Sequence, residues 1–217
     1  MSITVESVLS ITVTPSTPRS YVDQPVEIHV TGDGNAVGPY DVTVDWGDGT
    51  VESYHEIEGY IDWVYTHTYR SAGTFTITVS VTDEYTLGSG EGSATQEIQP
   101  ILAVSLIPDK TAGYAPLTVT FTCEARGGYL DYSWTLDPGD GSAPYSGTLT
   151  SEGTWTVTHT YESPGTFTAK LVVTDALGAS SIIKVRLGAG VPAEVPWIRI
   201  LGPAAIGGLS LLISKLA

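Results

Sequence analysis

Apolar and polar residues alternate along most of the chain in short runs. From Phe75 to Val81 every second residue is apolar, and threonine or serine lies between, which is the period of two of a half-buried β-strand. Further alternating runs contain Ile11 and Val13; Val26, Ile28 and Val30; Val42 and Val44; Val104 and Leu106; Leu117, Val119 and Phe121; Trp134 and Leu136; and Phe167, Ala169, Leu171 and Val173. Turn residues separate these runs. The pattern predicts an all-β protein made of antiparallel sandwiches.

Two motifs return at a constant distance along the chain. Residues 66–76, THTYRSAGTFT, reappear as residues 158–168, THTYESPGTFT. Residues 45–50, DWGDGT, reappear as residues 137–142, DPGDGS, and both motifs are displaced by the same 92 positions. Two motifs that keep one register indicate a tandem duplication of a single domain.

The repeated motifs resemble the signature of the PKD (polycystic kidney disease) domain. That signature is an aromatic-x-Gly-Asp-Gly turn, then His-Thr-Tyr, then a Gly-Thr-aromatic-Thr strand that ends in Thr-Asp. The matching segments are Asp45–Thr50, His67–Tyr69, Gly73–Asp83, His159–Tyr161 and Gly165–Asp175. Pro138 replaces the aromatic residue in the second copy, so that turn is expected to differ. The resemblance covers roughly residues 8–188. It implies immunoglobulin-like sandwiches that space, display or adhere on extracellular and envelope proteins, and it does not imply catalysis.

The duplication predicts two sandwich domains, residues 1–99 and residues 100–188, each large enough to fold on its own. Cys123 is in phase with the inward-facing Val119 and Phe121. Trp134 follows on the next strand, and immunoglobulin domains place a cysteine and a tryptophan at such positions. Cys123 is the only cysteine, so an intrachain disulfide and a cysteine metal site are excluded.

The charge of the chain limits its partners. Nine Lys and Arg residues against 24 Asp and Glu give a net charge of −15. Binding to a phosphate backbone needs cationic side chains, so no nucleic-acid partner is predicted. Residues 1–100 carry most of this charge, which suits a solvated face, a cation-rich partner or an acidic habitat. One Asn, three Gln, one Met and one Cys are a depletion of thermolabile residues that favours a hot environment, such as that of an archaeal host.

The repeated Asp-Gly turns supply the candidate metal ligands. Asp45 and Asp48, and Asp137 and Asp140 in the second copy, could offer carboxylate oxygens to Ca²⁺. The spacing differs from that of a calcium-binding loop, and Asp-Gly is also an ordinary turn pair in which the carboxylate caps backbone N–H groups. Both interpretations stay open here, and no cofactor is predicted apart from this candidate Ca²⁺.

The repeated His-Thr-Tyr motif is predicted to be structural. His67 and His159 have no second histidine nearby in sequence, and the chain contains no nucleophile elbow, zinc-protease motif or phosphate loop. Tyr69 and Tyr161 each precede a turn and suit core tyrosines whose hydroxyl bonds to the backbone. No catalytic residue is predicted, and the protein is expected not to be an enzyme.

Aromatic residues crowd a segment of the first copy that the second copy does not match. Tyr54, Tyr60, Trp63 and Tyr65 lie in a Glu-rich stretch interpreted as a loop region. Exposed aromatic side chains amid polar residues are typical of surfaces that contact sugars or proteins. These four residues are the candidate interaction site, and packing at a sheet edge is the alternative.

The end of the chain has a different composition. Residues 189–196 are predicted to be a linker, and residues 197–217 a hydrophobic helix that is a membrane anchor, the core of a homo-oligomer or an ordinary packed element. Its fifteen uncharged residues, 200–214, would span about 22 Å, less than the roughly 30 Å of a bilayer core. The anchor residues are Trp197, Arg199, Ala204, Gly208, Leu212 and Lys215: an interfacial aromatic, flanking cations and small residues that favour close helix association.

These observations together favour a non-enzymatic structural or display protein of an exterior surface. The segment Met1–Val13 lacks the cationic start of a secretory signal, and virus particles reach an exterior without secretion. The expected location is therefore a virion, as a capsid-associated, turret or spike component, or a cell-envelope assembly. The expected partners are other structural proteins of that assembly, further copies of the chain and a membrane. The alternative is a carbohydrate- or protein-binding accessory module of a secreted hydrolase.

Overall fold

Every element that the structure describes is a β-strand. The structure is a computed structural model that describes residues 8–32 and 38–191. Within these residues lie sixteen strands, eight in each half of the chain. This confirms the prediction of an all-β protein with two tandem sandwiches. The hydrophobic helix predicted for 197–217, with its anchor residues from Trp197 to Lys215, lies outside the described residues.

Domain 1 is formed by residues 8–99. Its strands are β1 (Ile11–Pro15), β2 (Arg19–Tyr21), β3 (Pro25–Gly32), β4 (Tyr40–Asp45), β5 (Val51–Ile57), β6 (Asp62–Thr68), β7 (Gly73–Asp83) and β8 (Ser89–Gln99). One sheet has the order β1-β3-β6, and the other has the order β2-β8-β7-β4-β5. The chain therefore crosses between the sheets repeatedly, as in an immunoglobulin-like sandwich.

Domain 2 is formed by residues 100–191. Its strands are β9 (Ala103–Pro108), β10 (Ala112–Tyr114), β11 (Leu117–Arg126), β12 (Tyr132–Asp137), β13 (Tyr145–Leu149), β14 (Gly153–Tyr161), β15 (Gly165–Thr174) and β16 (Ser180–Gly190). The sheets have the orders β9-β11-β14 and β10-β16-β15-β12-β13. Each strand of domain 1 has a counterpart at the same place in domain 2, so the sequence duplication is also a duplication of topology.

One pair of strands in each domain is parallel, which the antiparallel prediction did not include. The short strand β2 runs alongside β8, and β10 runs alongside β16. In domain 1 the chain passes from one sheet to the other at residues 16–18, where Pro18 cannot donate a backbone hydrogen bond. After the crossing the chain keeps its direction and lies beside the last strand.

The alternation in the sequence has the expected physical cause, because inward-facing side chains form one core in each domain. Trp46, Tyr40 and Tyr69 are the largest fully buried side chains of domain 1. Tyr132, Tyr161 and Phe121 hold the same rank in domain 2. Cys123 is buried in the second core as a free thiol, and burial raises its pKa to about 11. Packing without a disulfide therefore joins the two sheets.

The second domain extends slightly beyond its predicted boundary. Ala189 and Gly190, assigned from the sequence to a linker, belong to β16. Ala189 pairs with Gly165 of β15, and Gly190 pairs with Tyr114 of β10. These backbone pairs keep the strand regular to Gly190. The remainder of the predicted linker, 192–196, lies outside the described residues.

Each domain of the protein has an outer end and an inner end. Strand pairing places Val8, residues 38–39, residues 58–61 and residues 84–88 at the outer end of domain 1. Its inner end is formed by β2 and the end of β8.

In domain 2, strand pairing places residues 127–131, 150–152 and 175–179 at the inner end. The outer end of domain 2 is formed by β10 and the end of β16. The two inner ends meet.

Candidate functional site: the joint between the two domains

The Asp-Gly turn and the His-Thr-Tyr motif of domain 1 form one cluster. His67 Nε2 lies 2.8 Å from Asp48 Oδ2, and its ring stacks on Trp46 at 4.9 Å between ring centroids. The Tyr69 hydroxyl donates a hydrogen bond of 2.9 Å to the carbonyl oxygen of Trp46. Burial opposes ionisation of Asp48, but hydrogen bonds from His67 and Thr50 outweigh it and lower the pKa of this carboxyl.

Domain 2 repeats this cluster despite the proline in its turn. His159 Nε2 lies 2.8 Å from Asp140 Oδ2, and the Tyr161 hydroxyl donates to the carbonyl oxygen of Pro138 at 3.0 Å. Burial opposes ionisation of Asp140, but hydrogen bonds from Ser142 and His159 outweigh it and lower its pKa to about 2. The carbonyl oxygen of Pro138 therefore accepts the same tyrosine hydrogen bond that the carbonyl oxygen of Trp46 accepts in domain 1.

The four candidate calcium ligands are engaged within their own turns. Asp45 and Asp137 each accept a hydrogen bond from the backbone N–H two residues later. Asp48 and Asp140 do the same and also contact a histidine. Within 8–32 and 38–191, no three His, Cys, Asp or Glu side chains converge as a metal ion requires. The calcium site stays a prediction that this geometry does not favour.

The structure places three of the four aromatic residues of the candidate interaction site in strands and the fourth at a turn. Tyr54 lies in β5, and Trp63 and Tyr65 lie in β6, so the interpretation of this segment as a loop region was wrong. Alternating side chains of these two strands point into the domain, and the Tyr54 and Tyr65 rings pack 4.8 Å apart. Trp63 packs edge-on against Tyr40. Tyr60, at the turn between the strands, is the exposed member.

A second group of polar and aromatic residues lies where the inner ends meet. The Tyr21 hydroxyl of domain 1 donates a hydrogen bond of 2.6 Å to Asp175 Oδ2 of domain 2. The backbone N–H of Tyr129 donates to the same oxygen at 3.0 Å. The rings of Tyr21 and Tyr129 pack edge to face at 5.5 Å, a favourable arrangement for aromatic pairs. Burial and the nearby Asp175 carboxylate raise the pKa of Tyr21.

Tyr129 bonds back to domain 1. Its hydroxyl lies 3.0 Å from the carbonyl oxygen of Ser20 and 2.9 Å from that of Glu97. The Arg19 guanidinium lies 5.5 Å from the centroid of the Tyr129 ring and forms a 3.2 Å ion pair with Glu97. This ion pair is half exposed and contributes little. The part-buried hydrogen bonds of the Tyr129 hydroxyl contribute more to stability than this ion pair. Without them, the carbonyl oxygens of Ser20 and Glu97 would each lose a hydrogen-bond donor.

Backbone contacts tighten the connection between the domains. The linker between β8 and β9 is only residues 100–102, and the carbonyl oxygen of Pro100 accepts a 2.7 Å hydrogen bond from Gly128 N. Gly128 has φ +72°, and a Cβ added there would lie 2.7 Å from Asp175 Oδ2. Glycine is therefore required at this position. Leu102 is buried in the core of domain 2, which fixes the end of the linker.

These contacts connect the two domains through hydroxyl groups and the carboxylate of Asp175. The joint, defined here as Arg19–Tyr21, Glu97, Pro100–Leu102, Gly127–Tyr129 and Asp175, presents hydroxyl groups that already have acceptors. A cleft of about 310 Å³ beside it is bordered by Arg19, Glu97 and Glu152. No activated nucleophile with an adjacent base lies among the residues of this cleft. The arrangement holds one domain against the other.

Sequence analysis missed the joint because its members are far apart along the chain. Tyr21 and Asp175 are separated by 154 positions. One signal was present: Tyr129 is displaced by 92 positions from Val37, so the second copy carries an aromatic residue where the first does not. A departure of this kind between repeats marks a position with a role that is not shared.

The described residues contain no helix of the length and apolarity that crossing a membrane requires.

The PKD domain family model matches residues 10–97 and again residues 103–186. No curated protein matches the sequence.

Several solved structures are similar to this chain. One is the PKD domain of an M14-like peptidase from Thermoplasmatales archaeon SCGC AB-540-F20, with 16% identity and a TM-score of 0.37 over 44% of this chain and 99% of that one. Another is the three N-terminal domains of the Highly Immunogenic Outer Capsid protein (Hoc) of bacteriophage RB49, with 12% identity and a TM-score of 0.37 over 84% of this chain. The match spans 59% of that chain.

A third similar structure is a segment of two fibronectin type III domains from chicken tenascin, with 13% identity and a TM-score of 0.39. The match covers 82% of this chain and 97% of that one. The family assignment depends on the sequence motifs and on the family model, which matches most of the chain in two consecutive copies. The protein belongs to the PKD domain family.

Proposed function

We propose that the protein is a non-enzymatic structural module in which two PKD domains are held in one fixed arrangement. The joint is the observation that carries this proposal. It combines a three-residue linker, two tyrosine rings packed edge to face and a carboxylate that accepts hydrogen bonds from both domains. A flexible pair of domains would not need such contacts, whereas a spacer that sets distance and direction does.

Small-angle X-ray scattering of the whole chain tests this function. Wild-type protein is expected to fit one arrangement of the domains. Tyr129→Ala removes the ring and the hydroxyl group that contact domain 1, and it is expected to broaden the distance distribution. Ile107→Ala, at an exposed position on a sheet face of domain 2, is the matched control and should scatter like wild type. Equal profiles for all three proteins would contradict the proposal.

We further propose that the module works on an exterior surface, either of a virion, as a turret or spike component, or of a cell-envelope assembly. Members of the family are usually exposed outside the cell, and a spacer serves where something must be held away from a surface. Attachment through residues 197–217 to a membrane or to other copies, with further structural proteins as partners, is part of this proposal. Immunogold labelling on particles or envelopes supports it, and labelling confined to the cell interior contradicts it.

A second candidate function is a binding accessory module of a secreted hydrolase. The observation that favours it is the exposed ring of Tyr60 beside the acidic residues Glu56 and Glu58, since exposed aromatic rings contact sugars and proteins. Glycan-array binding that is lost in Tyr60→Ala would support this function. Binding that Tyr60→Ala leaves unchanged would place the contact elsewhere.

A further inference from the structure

The most exposed apolar side chains of the described residues lie at the two ends of the protein. Val8, Tyr60, Tyr85 and Leu87 are between 69% and 88% exposed. All four belong to the outer end of domain 1. Large exposed apolar side chains gathered in one place mark contact surfaces, whereas single ones do not.

The next two apolar residues in order of exposure lie at the opposite end of the described residues. Tyr114 and Val191 are 62% and 67% exposed. Tyr114 ends β10 and pairs with Gly190, immediately before Val191. Both residues therefore belong to the outer end of domain 2. On the sheet faces between the two ends, Ile107 and Ile182 are 61% and 58% exposed.

The joint shows how such ends fit together, because the domains share one topology. The inner end of domain 2 is built from the β11–β12, β13–β14 and β15–β16 connections. The outer end of domain 1 is built from the corresponding connections, which contain residues 38–39, 58–61 and 84–88. The outer end of domain 1 is thus the counterpart of a surface that already receives a PKD domain in the same chain.

The opposite surfaces correspond in the same way. Tyr21 is the last residue of β2 and pairs with Gln99 of the final strand of domain 1. Tyr114 is the last residue of β10 and pairs with Gly190 of the final strand of domain 2. Tyr114 is therefore the counterpart of Tyr21, the tyrosine that domain 1 inserts into the joint. In domain 2 this tyrosine is exposed.

We propose that the outer end of domain 1 receives the outer end of domain 2 of a second copy, so that copies associate head to tail. The contact is apolar rather than a repeat of every bond in the joint. Asp83, the counterpart of Asp175, is buried beneath its turn and accepts hydrogen bonds from Tyr85 N and Thr86 N. Tyr85 and Leu87 belong to the turn that follows Asp83, are exposed, and in this contact would meet Tyr114 and Val191.

Association between copies is weaker than the joint within one chain. The short linker gives the two inner ends a high effective concentration, and separate copies lack this advantage. A head-to-tail contact uses two different surfaces, so it leaves one free surface of each kind and can extend beyond a dimer. These residues are distinct from those of the joint, so failure of this inference would leave the proposed function intact.

Sedimentation velocity of the full chain over a range of concentrations tests the inference. Wild type is expected to show a sedimentation coefficient that rises with concentration. Tyr114→Ser, and the double variant Tyr85→Ser with Leu87→Ser, should each weaken this association by about tenfold or more. Ile107→Ser, on the outward face of a sheet in domain 2, is the matched control and should associate like wild type.

Mixing the two end variants separates a head-to-tail contact from other modes. Each variant keeps the end that the other has lost, so the mixture is expected to form a 1:1 complex and nothing larger. Three results would overturn the inference. They are a wild type that stays monomeric up to about 1 mM, association that persists in both end variants, and a mixture that fails to form the complex while wild type associates.

Discussion

The hydroxyl group of Tyr21 in domain 1 donates a 2.6 Å hydrogen bond to the carboxylate of Asp175 in domain 2. The same carboxylate oxygen accepts a hydrogen bond from the backbone of Tyr129, and the other oxygen accepts from Leu177 N and Ala179 N. Asp175 therefore orders a turn of its own domain and binds the neighbouring domain at once. Movement of one domain against the other would break the contact between Tyr21 and Asp175.

We expect Tyr21→Phe to uncouple the domains without unfolding either. A hydrogen bond to a charged group contributes about 1.5–3 kcal/mol, so the free energy of unfolding should fall by roughly that amount. A double-mutant cycle with Tyr129→Phe, followed by urea unfolding, should give a coupling energy of about 0.5–1 kcal/mol or more, since both hydroxyl groups serve one interface. Tyr85→Phe, at an exposed position, is the control. Strictly additive effects of the two joint variants would contradict the account.

Gly128→Ala is expected to disturb the joint through its Cβ atom. Gly128 and Gly141 both have positive φ, so alanine at either costs about 1 kcal/mol in backbone strain. Only at Gly128 does the added Cβ meet the Asp175 carboxylate, whereas nothing lies within 4 Å at Gly141. Thermal unfolding should therefore show a larger loss for Gly128→Ala than for Gly141→Ala. Equal losses of stability in the two variants would mean that the turn near Asp175 shifts to make room for the Cβ atom at no cost.

The pH dependence of stability should reveal the hydrogen bonds that Ser142 and His159 make to the Asp140 carboxylate. The pKa of Asp140 is lowered from 3.8 to about 2 in the folded protein. Its stabilisation is therefore complete above about pH 4 and is lost as the pH falls towards 2, with at most about 2 kcal/mol involved. Urea unfolding of wild type and Asp140→Asn should differ at pH 7 and converge near pH 2.

Glu162→Gln is the matched control for that measurement, because Glu162 is an exposed carboxylate on the same side of domain 2. It should follow the wild-type profile at every pH. A difference between wild type and Asp140→Asn that stays constant from pH 7 to pH 2 would show that the Asp140 side chain acts through packing and not through charge.

Cys123 should be unreactive in the folded protein. Its thiol is buried, and burial raises its pKa to about 11, so almost no thiolate is present near neutral pH. Ellman's reagent at pH 8 should label it only as fast as the protein unfolds, and promptly in denaturant. Rapid labelling of the native protein would contradict the packing of the second core.

Much of the fold follows from local pattern. The alternation of Phe75, Ile77, Val79 and Val81 with polar residues predicts β7, because one face of the strand is buried and the other is not. The repeat then transfers this interpretation to β15. The segment around Trp63 was misjudged, since its aromatic and acidic residues suggested a loop while their alternation places them in two strands, β5 and β6, which belong to opposite sheets.

The joint could not be predicted in the same way. Tyr21 ends a strand of three residues, and Asp175 begins a turn that is equally well formed by Asp83 in domain 1. Nothing in either local pattern indicates a partner in the other domain. The contact depends on the length of the linker and on the position of Tyr129, which only the folded arrangement of both domains determines.

Residual dipolar couplings of backbone amides test the central claim most directly, because they report the orientation of each domain in one sample. The account predicts that amides of domain 1 and domain 2 fit a single alignment tensor with the orientation seen in this structure. Two tensors of different magnitude would show that the domains move independently, and the proposal of a rigid spacer would then be wrong.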